Sequence, residues 1–378
     1  MLQSDLEVYM QELEEIVNID SPTGHLAGIE KILEFFTLRF KALGWTVESS
    51  ATGSELHPCL KIVNRPAETY DILMIGHIDT VLPVGTVAER PFTINGEYIT
   101  GPGVEDMKSG TLFMYHLAKY FTEHQLLPEQ ANICILINSD EEIGSKFSRP
   151  LIEAAAQKSK CALVFESADK YGTMTKGRKG IGRYFVKFKG IASHAGSQPE
   201  KGASAVTEFL HWGTELMQLH NLAEGTSINI GVVQGGTAPN VVAEEVNIQI
   251  DVRMTKMQPV YEIEKLIEFL GNNPKDPRVT ITTEGGITRP PMVPTPESEA
   301  LCQLFETVAE QLGQSPAKFQ SVGGGSDANL TAALGIPSID GLGPTGDNSH
   351  SPSEYTLYAS YAPKFDLLVA AIQKILQK

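Results

Sequence analysis

Asp71-Ile72-Leu73-Met74-Ile75-Gly76-His77-Ile78-Asp79-Thr80 is the stretch on which the fold turns. Four apolar residues in a row are too few for a buried helix and lack the alternation of a half-exposed strand, so they read as a strand covered on both faces. That strand ends on an imidazole and, two residues later, a carboxylate, which extended backbone points the same way. Ile133-Cys134-Ile135-Leu136-Ile137-Asn138 repeats the pattern, and shorter strand-like runs lie at 46–48, 60–63 and 162–165. Helical spacing of apolar residues marks 4–18, 26–43 (stopped by Gly44) and 109–124. Strands alternating with helices predict a layered α/β domain.

At Lys176-Gly177-Arg178-Lys179-Gly180 the texture changes. An alternating strand at 182–188, a helix at 203–220, strands at 227–233 and 241–252, a helix at 260–270 and a strand at 279–283 follow. Their order is the β-α-β-β-α-β of a ferredoxin-like α+β domain. Helices at 297–313 and 354–377 then resume the α/β character around a glycine-rich segment. The expected organisation is a catalytic domain from 1–176 and 290–378 interrupted by an inserted lid or dimerisation domain at 177–289.

Composition limits the partners. With 42% hydrophobic and 20% charged residues in 378, the chain reads as globular with about two domains. Thirty Lys and Arg against 46 Asp and Glu leave a net charge of −16, which disfavours nucleic acid and anionic membranes. The start, Met1-Leu2-Gln3-Ser4-Asp5, carries no export signal and no stretch is long enough to span a membrane, so the cytoplasm is expected. Cys59, Cys134, Cys161 and Cys302 are widely spaced and read as reduced packing residues.

Five patches bring His, Asp and Glu to the junctions of strand-like runs and loops, where open α/β sheets build their sites. They are His77-Ile78-Asp79, Gly101-Pro102-Gly103-Val104-Glu105-Asp106, Ser139-Asp140-Glu141-Glu142, Phe165-Glu166-Ser167 and Ser349-His350-Ser351. Each alone has an ordinary reading: a hydrogen-bonded strand-end histidine, a helix N-cap, a solvated acidic turn. Together, two histidines and three acids meet the donor count of a dinuclear cation site with a bridging carboxylate. Glu141 is a further acid beside Glu142, placed to move a proton.

In this order, the patches closely resemble the co-catalytic zinc exopeptidase and deacylase family that includes aminoacylase, acetylornithine deacetylase, succinyl-diaminopimelate desuccinylase and the glutamate carboxypeptidases. The resemblance covers nearly the whole chain and implies a zinc-exopeptidase-type mixed sheet flanked by helices. It implies two Zn2+ per chain, with Co2+ or Mn2+ as possible substitutes. Asp106 would bridge them, His77 and Glu166 would hold one, and Glu142 and His350 the other. Asp79 would orient His77, Glu141 would be the general base and acid, and the Asp106-Met107 peptide would be cis. In Ala192-Ser193-His194-Ala195-Gly196, His194 matches a lid histidine that polarises the oxyanion, often in a partner subunit, and a homodimer through the lid is expected.

The resemblance also assigns substrate contacts to Asn240, Arg253, Arg289 in Thr288-Arg289-Pro290-Pro291-Met292, which resembles the glutamate carboxypeptidase branch, and Gly325 in Gly323-Gly324-Gly325-Ser326-Asp327, while Arg178 beside Lys179, at the other hinge crossing, is expected to add charge there. Arginine suits a planar carboxylate. The expected substrate is a small molecule or short peptide with a free carboxylate, and the expected reaction releases a C-terminal, glutamate-like amino acid from an amide. Deacylation of an N-acyl amino acid of the acetylornithine or succinyl-diaminopimelate type is the alternative, and a non-catalytic binding protein on the same fold is another. A serine hydrolase or dinucleotide enzyme is disfavoured, because no G-x-S-x-G or G-x-G-x-x-G stands in the required setting.

Overall fold

A computed structural model describes residues 2–50 and 52–377. The chain divides into two units. One runs from the N-terminal region to Gly177, with Pro294–Val322 and everything from Ser326; the other is Arg178–Val293 with Gly323–Gly325.

The first unit is built on a six-stranded mixed sheet in the order Thr46–Ser50, Cys59–Val63, Ile133–Asn138, Ile72–His77, Ala162–Val164, Ser338–Ile339. The first three pair antiparallel and the rest parallel, so the two most apolar runs lie side by side at the centre, with His77 opposite Asn138. Every residue of both central strands is buried, which is why they show no alternation. The helices Gln3–Val17, Leu26–Ala42, Ser109–Glu123, Pro296–Gln311 and Tyr361–Leu376 supply the rest of one apolar core, among them Leu13, Phe36, Phe113, Phe305 and Leu368. No helix among the described residues is long and apolar enough to cross a membrane.

The last helix starts later than its spacing suggests. Tyr355–Leu357 is a strand paired with Tyr98–Thr100, and the helix begins at Tyr361, which leaves Pro363 in the first turn where its missing N–H costs nothing. The aromatic and β-branched residues Tyr355 and Thr356 are better satisfied in the ladder than in a helix. Asp106 does not cap a helix either: it lies inside the wide turn Val104–Lys108, at φ −119° and ψ 96°, and its peptide bond to Met107 is cis.

The second unit is a four-stranded antiparallel sheet in the order Ser227–Gly235, Glu245–Met254, Gly180–Lys189, Thr280–Arg289. Tyr184, Val186 and Phe188 point into a core shared with the helices Ala205–Met217 and Met257–Asn272, while Arg183, Phe185 and Lys187 face out. This strand order and element order are those of a ferredoxin-like fold.

One close approach fixes how the helix Ser109–Glu123 seats beside the site. A Cβ on Gly110 would lie 1.7 Å from the Phe165 carbonyl oxygen, the residue before Glu166. Gly110→Ala is expected to destabilise the protein by about 3 kcal/mol. Urea unfolding measures this, and a variant as stable as wild type would contradict the seating.

Candidate metal centre

The ends of the two central strands and three loops bring the predicted acids and histidines of the first unit together. His77, the last residue of its strand, is 1% exposed, and its carbonyl accepts the Thr111 hydroxyl at 2.7 Å. Its Nδ1 lies 3.3 Å from Asp79 Oδ1 and 3.0 Å from the Asp79 carbonyl, which leaves Nε2 to face Asp106 Oδ1 at 3.1 Å and Glu166 Oε1 at 3.6 Å. On the other side of Asp106, His350 Nε2 is 3.0 Å from both Asp106 Oδ2 and Glu142 Oε2. His77, Asp106 and Glu166 therefore form one donor set and Asp106, Glu142 and His350 a second, each with its donor atoms within 4.8 Å of one another. Asp106 gives one oxygen to each.

Asp79 does more than face His77. It is fully buried, and its two oxygens accept the backbone N–H groups of Glu141 and Glu142, each at 3.3 Å, and the Thr23 hydroxyl at 2.7 Å. One carboxylate thus joins the imidazole to the loop that carries both glutamates. Asp140 is turned the other way, where its Oδ2 accepts the N–H groups of Phe147 and Ser148 at 2.6 and 3.1 Å. The repulsion expected of three adjacent acids is relieved by this division: Asp140 inward, Glu142 on the cluster.

The electrostatics fit a cation. Burial works against charge on His77, but Glu166, Asp106 and Asp79 outweigh it and hold the imidazole well above its ordinary pKa. Hydrogen bonding to the carboxylates of Asp106 and Glu142 pushes His350 up to about 11. Burial tends to neutralise Asp106, yet His350 and His77 keep it ionised far below the usual range. Burial, and then the field of neighbouring acids including Asp106 and Glu141, raises Glu166 well above the carboxylate range despite His77. The site thus gathers positive charge, and a metal would take the place of those protons. Glu142 Oε1 is buried without a hydrogen-bond partner, as a carboxylate oxygen awaiting a cation would be. Imidazole and carboxylate donors suit zinc, and also cobalt or manganese.

The remaining predicted residues belong to the second unit. His194 is exposed, and its Nδ1 accepts the N–H groups of Gly196 and Ser197, both at 3.1 Å, so in the neutral ring the proton sits on Nε2. Asn240 is exposed beside it, its carbonyl accepting the Ala195 N–H at 2.9 Å. Arg253 is held by Asp251 through two bonds of 2.8 and 3.0 Å and reaches the Gly323 carbonyl at 3.4 Å; Arg178 Nη1 donates to the Gly324 carbonyl at 3.2 Å. Arg289 ends its strand only 3% exposed, and Gly325 is half-buried. Sequence reasoning passed over Thr23, Ser349 and Glu354, whose bonds run to Asp79, Glu105 and the backbone around Asp106. The only signal for Glu354 was its place four residues after His350.

The profile of peptidase family M20/M25/M40 fits residues 73–374. Carboxypeptidase G2 of Pseudomonas sp. (strain RS-16) is 28% identical over 359 residues, spanning 94% of this chain and 86% of that protein. Acetylornithine deacetylase of Shigella sonnei (strain Ss046) is 26% identical over 353 residues, with 88% of each chain covered. The crystal structure of a tripeptidase from Staphylococcus aureus subsp. aureus mu50 shares the fold, with a TM-score of 0.78 over 99% of both chains at 24% identity. Since the family profile spans most of both units, the chain belongs to peptidase family M20/M25/M40 and is a metal-dependent hydrolase.

Proposed function

We propose that the protein is a dinuclear zinc hydrolase that cleaves an amide bond and releases a C-terminal amino acid, glutamate first. The observation that carries the dinuclear reading is the division of Asp106, one oxygen to the His77 and Glu166 set and the other to the Glu142 and His350 set. Bound dications would polarise the scissile carbonyl and make water nucleophilic at neutral pH.

The chain's own groups do the rest. Asp79 holds His77 through Nδ1 and presents Nε2, and the same carboxylate fixes the backbone of Glu141 and Glu142. Glu141 takes the proton of the attacking water and returns it to the leaving amine. His194 donates from Nε2 to the oxyanion, the tautomer being set by its two N–H contacts at Nδ1. Arg289 and Arg178 take the substrate's free carboxylate, with Asn240 and Gly325 as further contacts. Arg253 contributes from its bidentate seat on Asp251.

Support for a glutamate-like leaving group comes from these arginines and from the relative named carboxypeptidase G2. The relative named acetylornithine deacetylase favours the second reading, removal of an acyl group from an amino acid. A homodimer fits the outer strand Ser227–Gly235, which is paired on one side and exposes Val233. The four cysteines are free and buried, which suits the cytoplasm.

Turnover of C-terminal glutamate and aspartate peptides and of N-acyl amino acids tests the reading. Chelation is expected to lower release of the amino acid by about 100-fold or more, and added zinc to restore it. The best substrate decides between carboxypeptidase and deacylase; turnover indifferent to chelation would overturn the assignment.

A further inference from the structure

The segment Ser349–Glu354 meets the turn that carries Asp106 at three places. Ser349 Oγ donates to Glu105 Oε2 at 2.5 Å, and His350 Nε2 lies 3.0 Å from Asp106 Oδ2. Glu354, 2% exposed, makes the third contact with no donor atom of the cluster involved. Its Oε1 accepts the N–H groups of Glu105 at 2.7 Å and Asp106 at 3.1 Å, and its Oε2 accepts that of Gly103 at 3.1 Å.

A buried carboxylate taking three backbone N–H groups is a strong, directional anchor. The peptide units it holds are those that set the direction of the Asp106 side chain. Asp106 sits outside helical geometry, between Gly103 at φ 76° and the helix that begins at Ser109, so helical hydrogen bonding does not fix it. The same turn is also tied through Lys108, whose Nζ donates to the Ile19 carbonyl at 2.8 Å.

We propose that Glu354 is the positioning residue of the shared carboxylate. By fixing the Asp106 peptide it directs Oδ1 to His77 and Oδ2 to His350 together, and so couples the two cation positions. This rests on the dinuclear reading above. It carries a signature that loss of an ordinary ligand does not share. Glu142 and Glu166 each belong to one donor set, whereas releasing the Asp106 turn weakens both.

The test is calorimetric titration of the full chain, made metal-free by chelation without unfolding, with zinc alone, in wild type, Glu354→Gln and Glu354→Ala, with the melting temperature of each metal-free form. Glu354→Gln keeps the volume but turns one acceptor into a donor opposite an N–H. It is expected to weaken both zinc equivalents by about 10- to 100-fold, and Glu354→Ala by at least as much. Should the alanine variant not fold, the glutamine variant carries the comparison. Two equivalents bound as tightly as in wild type, whatever the melting temperatures, would show a merely structural role and overturn the inference. Weakening of one equivalent alone would overturn the coupling. A wild type that binds fewer than two equivalents would sink the dinuclear reading and this inference with it.

Discussion

Glu141→Gln is expected to lower kcat by about 100- to 10,000-fold with both zinc equivalents still bound. The substitution keeps the size of the side chain and leaves its backbone N–H on Asp79 Oδ1, so the link between Asp79 and the two glutamates survives. What it removes is a carboxylate able to accept a proton from water and return it to the leaving amine. Neither neighbour in the acidic triplet substitutes for it. Asp140 is committed to the N–H groups of Phe147 and Ser148, and Glu142 faces His350. Steady-state kinetics paired with metal analysis reads the result; kcat within a few-fold of wild type at full occupancy would show that another group moves the proton.

Asp106→Asn is expected to leave at most one tightly held zinc and to lower kcat by about 1,000-fold. An amide has the shape of the carboxylate but offers a single acceptor oxygen, and the structure asks for two, one facing His77 and one facing His350. Its amino group would oppose a cation on one side. The loss also removes one of the carboxylates that raise both imidazoles, leaving Glu166 and Asp79 at His77 and Glu142 at His350. Equilibrium dialysis against zinc measures the stoichiometry, and two equivalents retained at wild-type affinity would show that Asp106 is not shared.

The central strands were legible because burial on both faces leaves unbroken apolar runs, at Ile72–Ile75 and Ile133–Ile137, and the second unit was legible because Gly180–Lys189 alternates on one covered face. The small sheet of Thr93–Asn95, Tyr98–Thr100, Gly346–Asp347 and Tyr355–Leu357 was not. Strands of two and three residues carry no period, and the pairing of Tyr355–Leu357 with Tyr98–Thr100 joins segments far apart in the chain, so the sequence places Tyr355–Leu357 in the following helix.

The site divides in the same way. Residue type and order singled out His77, Asp106, Glu142, Glu166 and His350, and the fold brings them together as two sets of three that share Asp106. Which acid of the triplet turns inward depends on amides at Phe147 and Ser148, and nothing in the string Asp140-Glu141-Glu142 says so. Glu354 and Thr23 act through distant backbone or through another side chain, a relation that exists only once the loops have met. Arg253 is legible by type, which suits a carboxylate, but its two-bond seat on Asp251 exists only in the fold.

Anomalous scattering from crystals of the zinc-loaded protein shows whether Asp106 is shared by two cations. Two peaks about 3.5 to 4 Å apart are expected, with Asp106 between them, one peak beside His77 and Glu166 and the other beside Glu142 and His350. A single peak, or peaks away from these side chains, would contradict it.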